Sequence, residues 1–525
     1  MTLLTLDRVA CAAPDGTLLF SDLTVSLGRE RLGLVGRNGS GKSTLLRAIA
    51  GEHPLAAGSI AGNARIAMLR QLPRARDATV ADALGVAEDL ARLDRIEAGA
   101  PRDDDLDRAD WTLASRLDAA SASAGLAAID PARPLATLSG GERTRMMLAG
   151  MLLEDPEVLL LDEPTNNLDA AGREAVAALL AGWNGAAVVA SHDRALLSDM
   201  DAIVELTRVG VHRVGGGWEA FAERREAERE RAARALDRGE QALARARREK
   251  QRETEKQAHR EAKGRRVAAS RSEPKILLGA RKRRAEATAG RIETKGGESV
   301  ARAEEDLADA RGRVEVLDPI RIALPPSGLS ANRVLVEARA ITCERGARRL
   351  FGPIDVTVRG PARIAIAGPN GSGKTSLVRI LVGEEAPTSG DVRREPGRIA
   401  LLDQELALLG SGGTVLESLR RLAPELDANQ ARAALAAYGF RNAWAEREVA
   451  SLSGGERVRL ALAGLFSRAE PPQLLVLDEP SNHLDVAALE MLEAALRGYD
   501  GAIVCVSHDA GFIASLAPTE TIVLG

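Results

Sequence analysis

One eight-residue pattern occurs twice in this chain and restricts its fold more than any other feature. The first copy is Gly36-Arg-Asn38-Gly39-Ser40-Gly41-Lys42-Ser43, and the second is Gly368-Pro-Asn370-Gly371-Ser372-Gly373-Lys374-Thr375. Short apolar runs, Arg31-Leu-Gly-Leu-Val and Ala362-Arg-Ile-Ala-Ile-Ala, come just before. Helix-compatible segments opening at Thr44 and Ser376 come just after. Strand, glycine loop and helix in that order are the context a phosphate-binding loop requires. Glycines let successive backbone N–H groups turn toward phosphate oxygens, and the helix N-terminus adds favourable partial charge. Lys42 and Lys374 would reach the β- and γ-phosphates of a nucleotide, and the Ser43 and Thr375 hydroxyls would ligate Mg²⁺. A single match is compatible with an ordinary glycine turn beside a solvated lysine. Two in register are not.

The repetition extends well beyond the loop. Gln71 answers Gln404, Leu138-Ser139-Gly140-Gly141-Glu142 answers Leu452-Ser453-Gly454-Gly455-Glu456, Asp162-Glu163 answers Asp478-Glu479, and His192 answers His508. The offset is 332 residues at the phosphate loop, 333 at the glutamine, 314 at the third motif and 316 at the last two. The first copy therefore carries about 19 extra residues between Gln71 and Ser139. They are expected near 88–119, an acidic, helix-compatible stretch containing Asp103-Asp-Asp105.

Each recurring motif has a chemical reading. Val158-Leu-Leu-Leu and Leu474-Leu-Val-Leu predict central parallel strands buried on both faces, ending in carboxylates where α/β sheets bind ligands. Asp162 and Asp478 would hold Mg²⁺ through water, and Glu163 and Glu479 would polarise an attacking water. His192 and His508 follow apolar strands, each 29 residues after its glutamate, a regularity that favours a γ-phosphate contact over a structural role. Gln71 and Gln404 follow the strands Ile66-Ala-Met-Leu and Ile399-Ala-Leu-Leu; an ordinary solvated glutamine is the competing reading, and the favoured functional role is a ligand to Mg²⁺ or the attacking water. The Ser-Gly-Gly-Glu segments read as helix starts whose serine is a good N-cap and whose glycines permit close approach to a phosphate.

Between the copies the composition changes. Residues 219–263 are dense in Glu, Arg, Ala and Lys without proline, predicting a helix of about 40 residues and about 60 Å. A second helix is expected over roughly 298–317, with Val300, Leu307, Val314 and Leu317 in a heptad-like stripe facing Leu236 and Leu243. Residues 241–290 hold 16 Lys and Arg against 6 Asp and Glu, in a chain whose net charge is −4. A basic stretch on an otherwise acidic body predicts an acidic partner. The candidate contacts are Arg265, Arg266, Lys275, Arg281, Lys282, Arg283 and Arg284. No apolar run is long enough for a membrane span, the N-terminus does not read as a secretion signal, and Cys11, Cys343 and Cys505 show no metal-like spacing. Small buried filler and a reducing cytoplasmic setting are expected for them.

Together these motifs resemble the ATP-binding cassette family across both halves. The resemblance implies an α/β fold: two P-loop ATP-binding cassette domains joined by a long antiparallel α-helical hairpin linker. The expected boundaries are 1–217, 218–324 and 325–525. It implies a monomer whose cassettes form an intramolecular sandwich around two ATP and Mg²⁺. Lys42, Ser43, Gln71, Asp162, Glu163 and His192 would face Ser453 and Gly455 across one ATP. Lys374, Thr375, Gln404, Asp478, Glu479 and His508 would face Ser139 and Gly141 across the other.

Within the family the chain looks like ABC-F, the twin-cassette ATPases that act on ribosomes. Two cassettes in one chain, a charged helical connector, Leu-Ser-Gly-Gly-Glu, and Ser481-Asn-His-Leu-Asp485 carry that likeness. It implies a linker that enters the tRNA exit site and approaches peptidyl-site tRNA, either regulating translation or protecting ribosomes from antibiotics. Two departures stand out. Asn167 replaces the usual histidine, and no adenine-stacking aromatic lies near Cys11–Gly16 or Glu344–Gly346, where Arg345 is the substitute on offer. The competing readings are a DNA-structure or repair ATPase gripping DNA with the basic hairpin, and the ATPase subunit of a transporter with separate membrane subunits.

Overall fold

The computed structural model describes residues 2–69, 78–126, 130–138, 140–166, 168–207, 210–269, 294, 297–312, 322–346, 348–410, 412–482 and 484–525. Gln71, Ser139, Asn167, Val314, Leu317 and the basic residues from Lys275 to Arg284 lie outside them. The chain divides into two compact units, Met1–Phe221 with Ile320–Gly525, and Ala222–Pro319. Both cassettes fall in the first unit.

In the first cassette, five strands run parallel and one antiparallel, in the order Ile66–Met68, Val158–Asp162, Ala186–Ala190, Arg31–Gly36, Ala202–Thr207, Gly210–Gly215. In the second, the order is Ile399–Leu402, Leu474–Asp478, Ala502–Val506, Arg363–Ala367, Glu520–Val523, all parallel. Alternate residues of the central strands feed different cores. Leu159, Leu161, Ala187 and Val189 pack on one face, and Val158, Leu160, Ala186 and Val188 on the other. Covering both faces is what lets a parallel sheet read as an unbroken apolar run. The three cysteines are free and buried in these cores.

Each cassette also has a three-stranded antiparallel sheet that the motifs did not announce. The orders are Leu18–Leu27, Leu4–Ala12, Ala57–Gly62 and Arg348–Arg359, Val334–Arg345, Ser389–Arg394. Between the glutamine and the Ser-Gly-Gly-Glu segment the first copy has helices Val80–Leu84, Ala87–Glu97, Asp105–Arg108 and Leu113–Ser123, where the second has Val415–Leu422 and Ala428–Ala437. The acidic run of the first copy is not all solvent-facing. Asp105 is buried, accepts from Arg95 Nε at 2.9 Å and Nη2 at 2.7 Å, and accepts the Arg102 N–H at 2.9 Å. These donors hold its carboxyl far below the usual carboxylate range.

The long helix runs Trp218–Ala269, 52 residues, about 78 Å at 1.5 Å per residue. It is longer than the expected 40 because Arg265, Arg266, Ala268 and Ala269 continue its propensity past Lys263. In the second compact unit it pairs with a helix over 297–312. Leu243 and Ala246 bury against Ala303 and Leu307, flanked by Leu236 and Val300. Arg247 meets Glu304 at 2.7 Å and Arg311 meets Glu240 at 3.4 Å, which sets the antiparallel register. Arg265 and Arg266 fall near the C-terminal end of the long helix. Among the described residues, no helix is long and apolar enough to cross a membrane.

Candidate nucleotide sites

In both cassettes three neighbouring strands end together. The phosphate-loop strand ends at Gly36 or Ala367, the next at Ala190 or Val506 just before the Ser-His-Asp segment, and the third at Asp162 or Asp478. Parallel topology therefore brings loop, histidine and paired acids to one sheet edge.

Helices Lys42–Ile49 and Lys374–Val382 begin at Gly41 and Gly373, whose φ values of 98° and 95° suit glycine. A Cβ on Gly373 would lie 2.8 Å from the Phe351 ring, so the loop closes against that side chain only because the position is bare. Lys42 and Lys374 are buried. Each donates back to its loop, Lys42 Nζ to Gly36 O at 2.8 Å and Lys374 Nζ to Gly368 O at 2.8 Å. Burial lowers both ammonium pKa values, and the nearby Glu163 or Glu479 opposes it. The Ser40 and Ser372 hydroxyls are buried without a hydrogen-bond partner.

Glu163 and Glu479 adopt φ of 47° and 50°, a left-handed conformation that costs a non-glycine residue about 1–2 kcal/mol. The N–H of Glu163 donates to Ala190 O at 2.8 Å and that of Glu479 to Val506 O at 2.9 Å, so the next strand holds the bend. Strained residues of this kind cluster at functional sites. Glu163 Oε1 lies 3.2 Å from His192 Nε2, and Glu479 Oε1 lies 3.5 Å from His508 Nε2. Neither contact is aligned as a hydrogen bond, and both Nε2 atoms and Glu479 Oε1 are buried without one. Burial raises both glutamates to about 7 and pushes His508 down to about 4; His192 is shifted the same way, with Lys42 adding to it. Each pair is thus held neutral histidine against neutral-to-anionic glutamate, not as a salt bridge.

Ser453 caps helix Gly454–Phe466 in a reciprocal box with Glu456. Gly140 and Gly141 open the matching helix Gly140–Leu153. Arg457, in the Ser-Gly-Gly-Glu-Arg run, donates to Glu405 O at 2.7 Å, tying that helix to the loop of Gln404. A cavity of about 540 Å³ is lined by Asn370, Gly371, Gly373, Lys374, Thr375, Ser376, Gln404, Asp478, Glu479 and His508. Arg345 and Arg348 also line it, and Leu168 enters from the first cassette.

The two cassettes meet at these sites where the phosphate-loop residues Asn38 and Asn370 reach Asp485 and Asp169, two aspartates the motif reading left without a role. The N–H of Asn38 donates to Asp485 Oδ2 at 3.0 Å, and that of Asn370 donates to Asp169 Oδ2 at 3.2 Å. The other oxygen of each aspartate caps its own helix, Asp485 accepting from Ala488 and Asp169 from Gly172. The signal was present in the paired Leu-Asp ends of the segments after Pro164 and Pro480. The donor across the cassettes is a main-chain N–H, which no side-chain pattern reveals.

Fold and paired loops define a twin-cassette phosphate-loop protein. The sequence matches the ABC transporter family over residues 21–166 and 351–482. It is 34% identical to the tylosin resistance ATP-binding protein TlrC of Streptomyces fradiae, over 93% of this chain and 91% of that protein. Identity to ABC transporter F family member 5 of Arabidopsis thaliana is 30%, over 95% and 72% of the two chains. Identity to the energy-dependent translational throttle protein EttA of Mycobacterium tuberculosis is 31%, over 97% and 89%. The chain belongs to the ATP-binding cassette family, within its ABC-F group, and is an ATPase.

Proposed function

We propose that this chain is a cytoplasmic, ribosome-associated ATPase whose cassettes close on two ATP molecules and whose basic hairpin contacts RNA. The observation that carries the reading is the reciprocal pairing of each phosphate loop with an aspartate of the opposite cassette. A nucleotide bound there takes contacts from both cassettes and holds them together, and its hydrolysis releases them.

Residue roles follow from position. Lys42 and Lys374 each bond two loop carbonyls, and their remaining donor is free for a phosphate oxygen. Ser40 and Ser372 offer further hydroxyls. Glu163 and Glu479 accept a proton from the attacking water, and His192 and His508 donate to the γ-phosphate. Asp478 is buried, with the Thr375 hydroxyl hydrogen-bonded to it. That hard oxygen pair suits Mg²⁺, as do Ser43 and Asp162, with Gln71 and Gln404 as further ligands. Bound Mg²⁺ would supply charge neutralisation on the β- and γ-phosphates.

The ribosome enters through the relatives, one named for tylosin resistance and one for throttling translation, and through the net positive stretch at 241–290. Contact with tRNA or ribosomal RNA phosphates is assigned to Arg265, Arg266, Lys275, Arg281, Lys282, Arg283 and Arg284. The test is cosedimentation of the Glu163→Gln/Glu479→Gln chain with ribosomes. ATP-dependent association that inhibits translation is expected. A chain that stays free of ribosomes under ATP while binding duplex DNA or membranes would replace this reading with one of its competitors.

A further inference from the structure

Among the described residues, one buried ion pair crosses between the cassettes, and it occurs on one side only. Arg194 Nη1 lies 2.9 Å from Glu493 Oε1 and 3.2 Å from Oε2. The Glu493 side chain is 5% exposed and that of Arg194 is 22% exposed. Both residues flank the first nucleotide site. Arg194 follows His192 by two positions and opens the helix Arg194–Ser198. Glu493 sits on the helix Val486–Arg497, capped by the same Asp485 that receives the Asn38 N–H. The arginine also stands over the Trp218 ring at 5.5 Å. Trp218 starts the long helix, and Ser198 Oγ donates to Glu219 in that first turn at 3.1 Å.

The repeat offset of 316 places Ala510 where the second cassette matches Arg194, and Ala177 where the first matches Glu493. The second nucleotide site therefore has no counterpart of this pair.

We propose that the Arg194–Glu493 pair is a one-sided latch that makes the two ATP sites unequal, holding the site of Lys42, Glu163 and His192 closed longer than that of Lys374, Glu479 and His508. Arg194 is thus a positioning residue. It acts through its ion pair with Glu493, keeping the helix of Asp485 against the first phosphate loop. Breaking a buried pair from one end leaves an uncompensated charge, so the closed state loses more than a surface contact would give. The proposal rests on the two-site ATPase reading above.

The test measures release of a fluorescent ATP analogue from the full chain carrying Glu163→Gln and Glu479→Gln. Two phases are expected, and Lys42→Ala should remove the slower. Arg194→Ala and Glu493→Gln should each accelerate the slow phase about tenfold, a change of about 1.4 kcal/mol, and leave the fast phase unchanged. Arg194→Lys should restore part of the difference. Installing Ala510→Arg with Ala177→Glu should slow the fast phase. A single release phase in the parent, equal acceleration of both phases, or rates within twofold for both latch variants overturns the latch. Failure of the analogue to bind the parent chain at all would instead overturn the nucleotide-site reading.

Discussion

The main-chain N–H of Asn38 donates to Asp485 Oδ2 at 3.0 Å, so the first phosphate loop is held by a carboxylate from the other cassette. Asp485 does two things at once, since its Oδ1 caps its own helix through the Ala488 N–H at 2.9 Å. Its charge also acts on Lys42 and His192.

Those two tasks separate by substitution. Asp485→Ala loses the cap, about 1 kcal/mol, and a charge-assisted bond between the cassettes, about 1.5–3 kcal/mol. Lower Tm and about tenfold lower kcat are expected. Asp485→Asn keeps a capping oxygen but loses the bond between the cassettes, so Tm should fall less than in Asp485→Ala while kcat falls as far. Calorimetry and steady-state ATPase assays distinguish the two.

Glu163→Gln and Glu479→Gln each remove one proton acceptor without changing shape. The double variant is expected to lose about 10²–10⁴-fold in turnover while retaining ATP. Filter retention of radiolabelled ATP, with phosphate release followed in parallel, checks this. Turnover within tenfold of the parent would remove both glutamates from the chemistry.

Burial places both glutamates near 7, against an ordinary 4.5. As general bases they must be ionised, so kcat/KM should fall about tenfold per pH unit below 7 and level off above 8. For stability, the folded chain keeps these protons between about 4.5 and 7 after the unfolded chain has lost them, so stability falls as pH rises through that window. His508, pushed from 6.5 to about 4, works in the opposite direction between those values. With His192 shifted the same way, the two histidines largely offset the two glutamates below 6.5. Glu479→Gln should therefore raise Tm at pH 8 more than at pH 5, which thermal melts across pH would reveal.

In the helical unit, Leu307 packs with Leu243, Ala246 and Ala303. Leu307→Ala should cost about 2–5 kcal/mol locally. Faster hydrogen exchange over 236–246 and 300–307 is expected, with the cassette strands unchanged. Equal loosening of Val158–Asp162 would show that the two units unfold together.

Local structure was legible in the sequence wherever a motif and its geometry share one stretch of chain. Gly36–Ser43 folds into a phosphate loop because glycine conformations, a lysine and a helix start are encoded within eight residues. The heptad spacing of Leu236, Leu243, Val300 and Leu307 likewise carries its own packing rule. The antiparallel sheets of Leu4–Ala12 and Val334–Arg345 were not legible, because their register shifts interrupt strict alternation. The neutral state of His508, the left-handed bend at Glu479 and the Arg194–Glu493 pair were decided by tertiary structure alone. Burial, strain and contact across hundreds of residues depend on which surfaces meet, and that follows from the folded shape of both cassettes, not from any one segment.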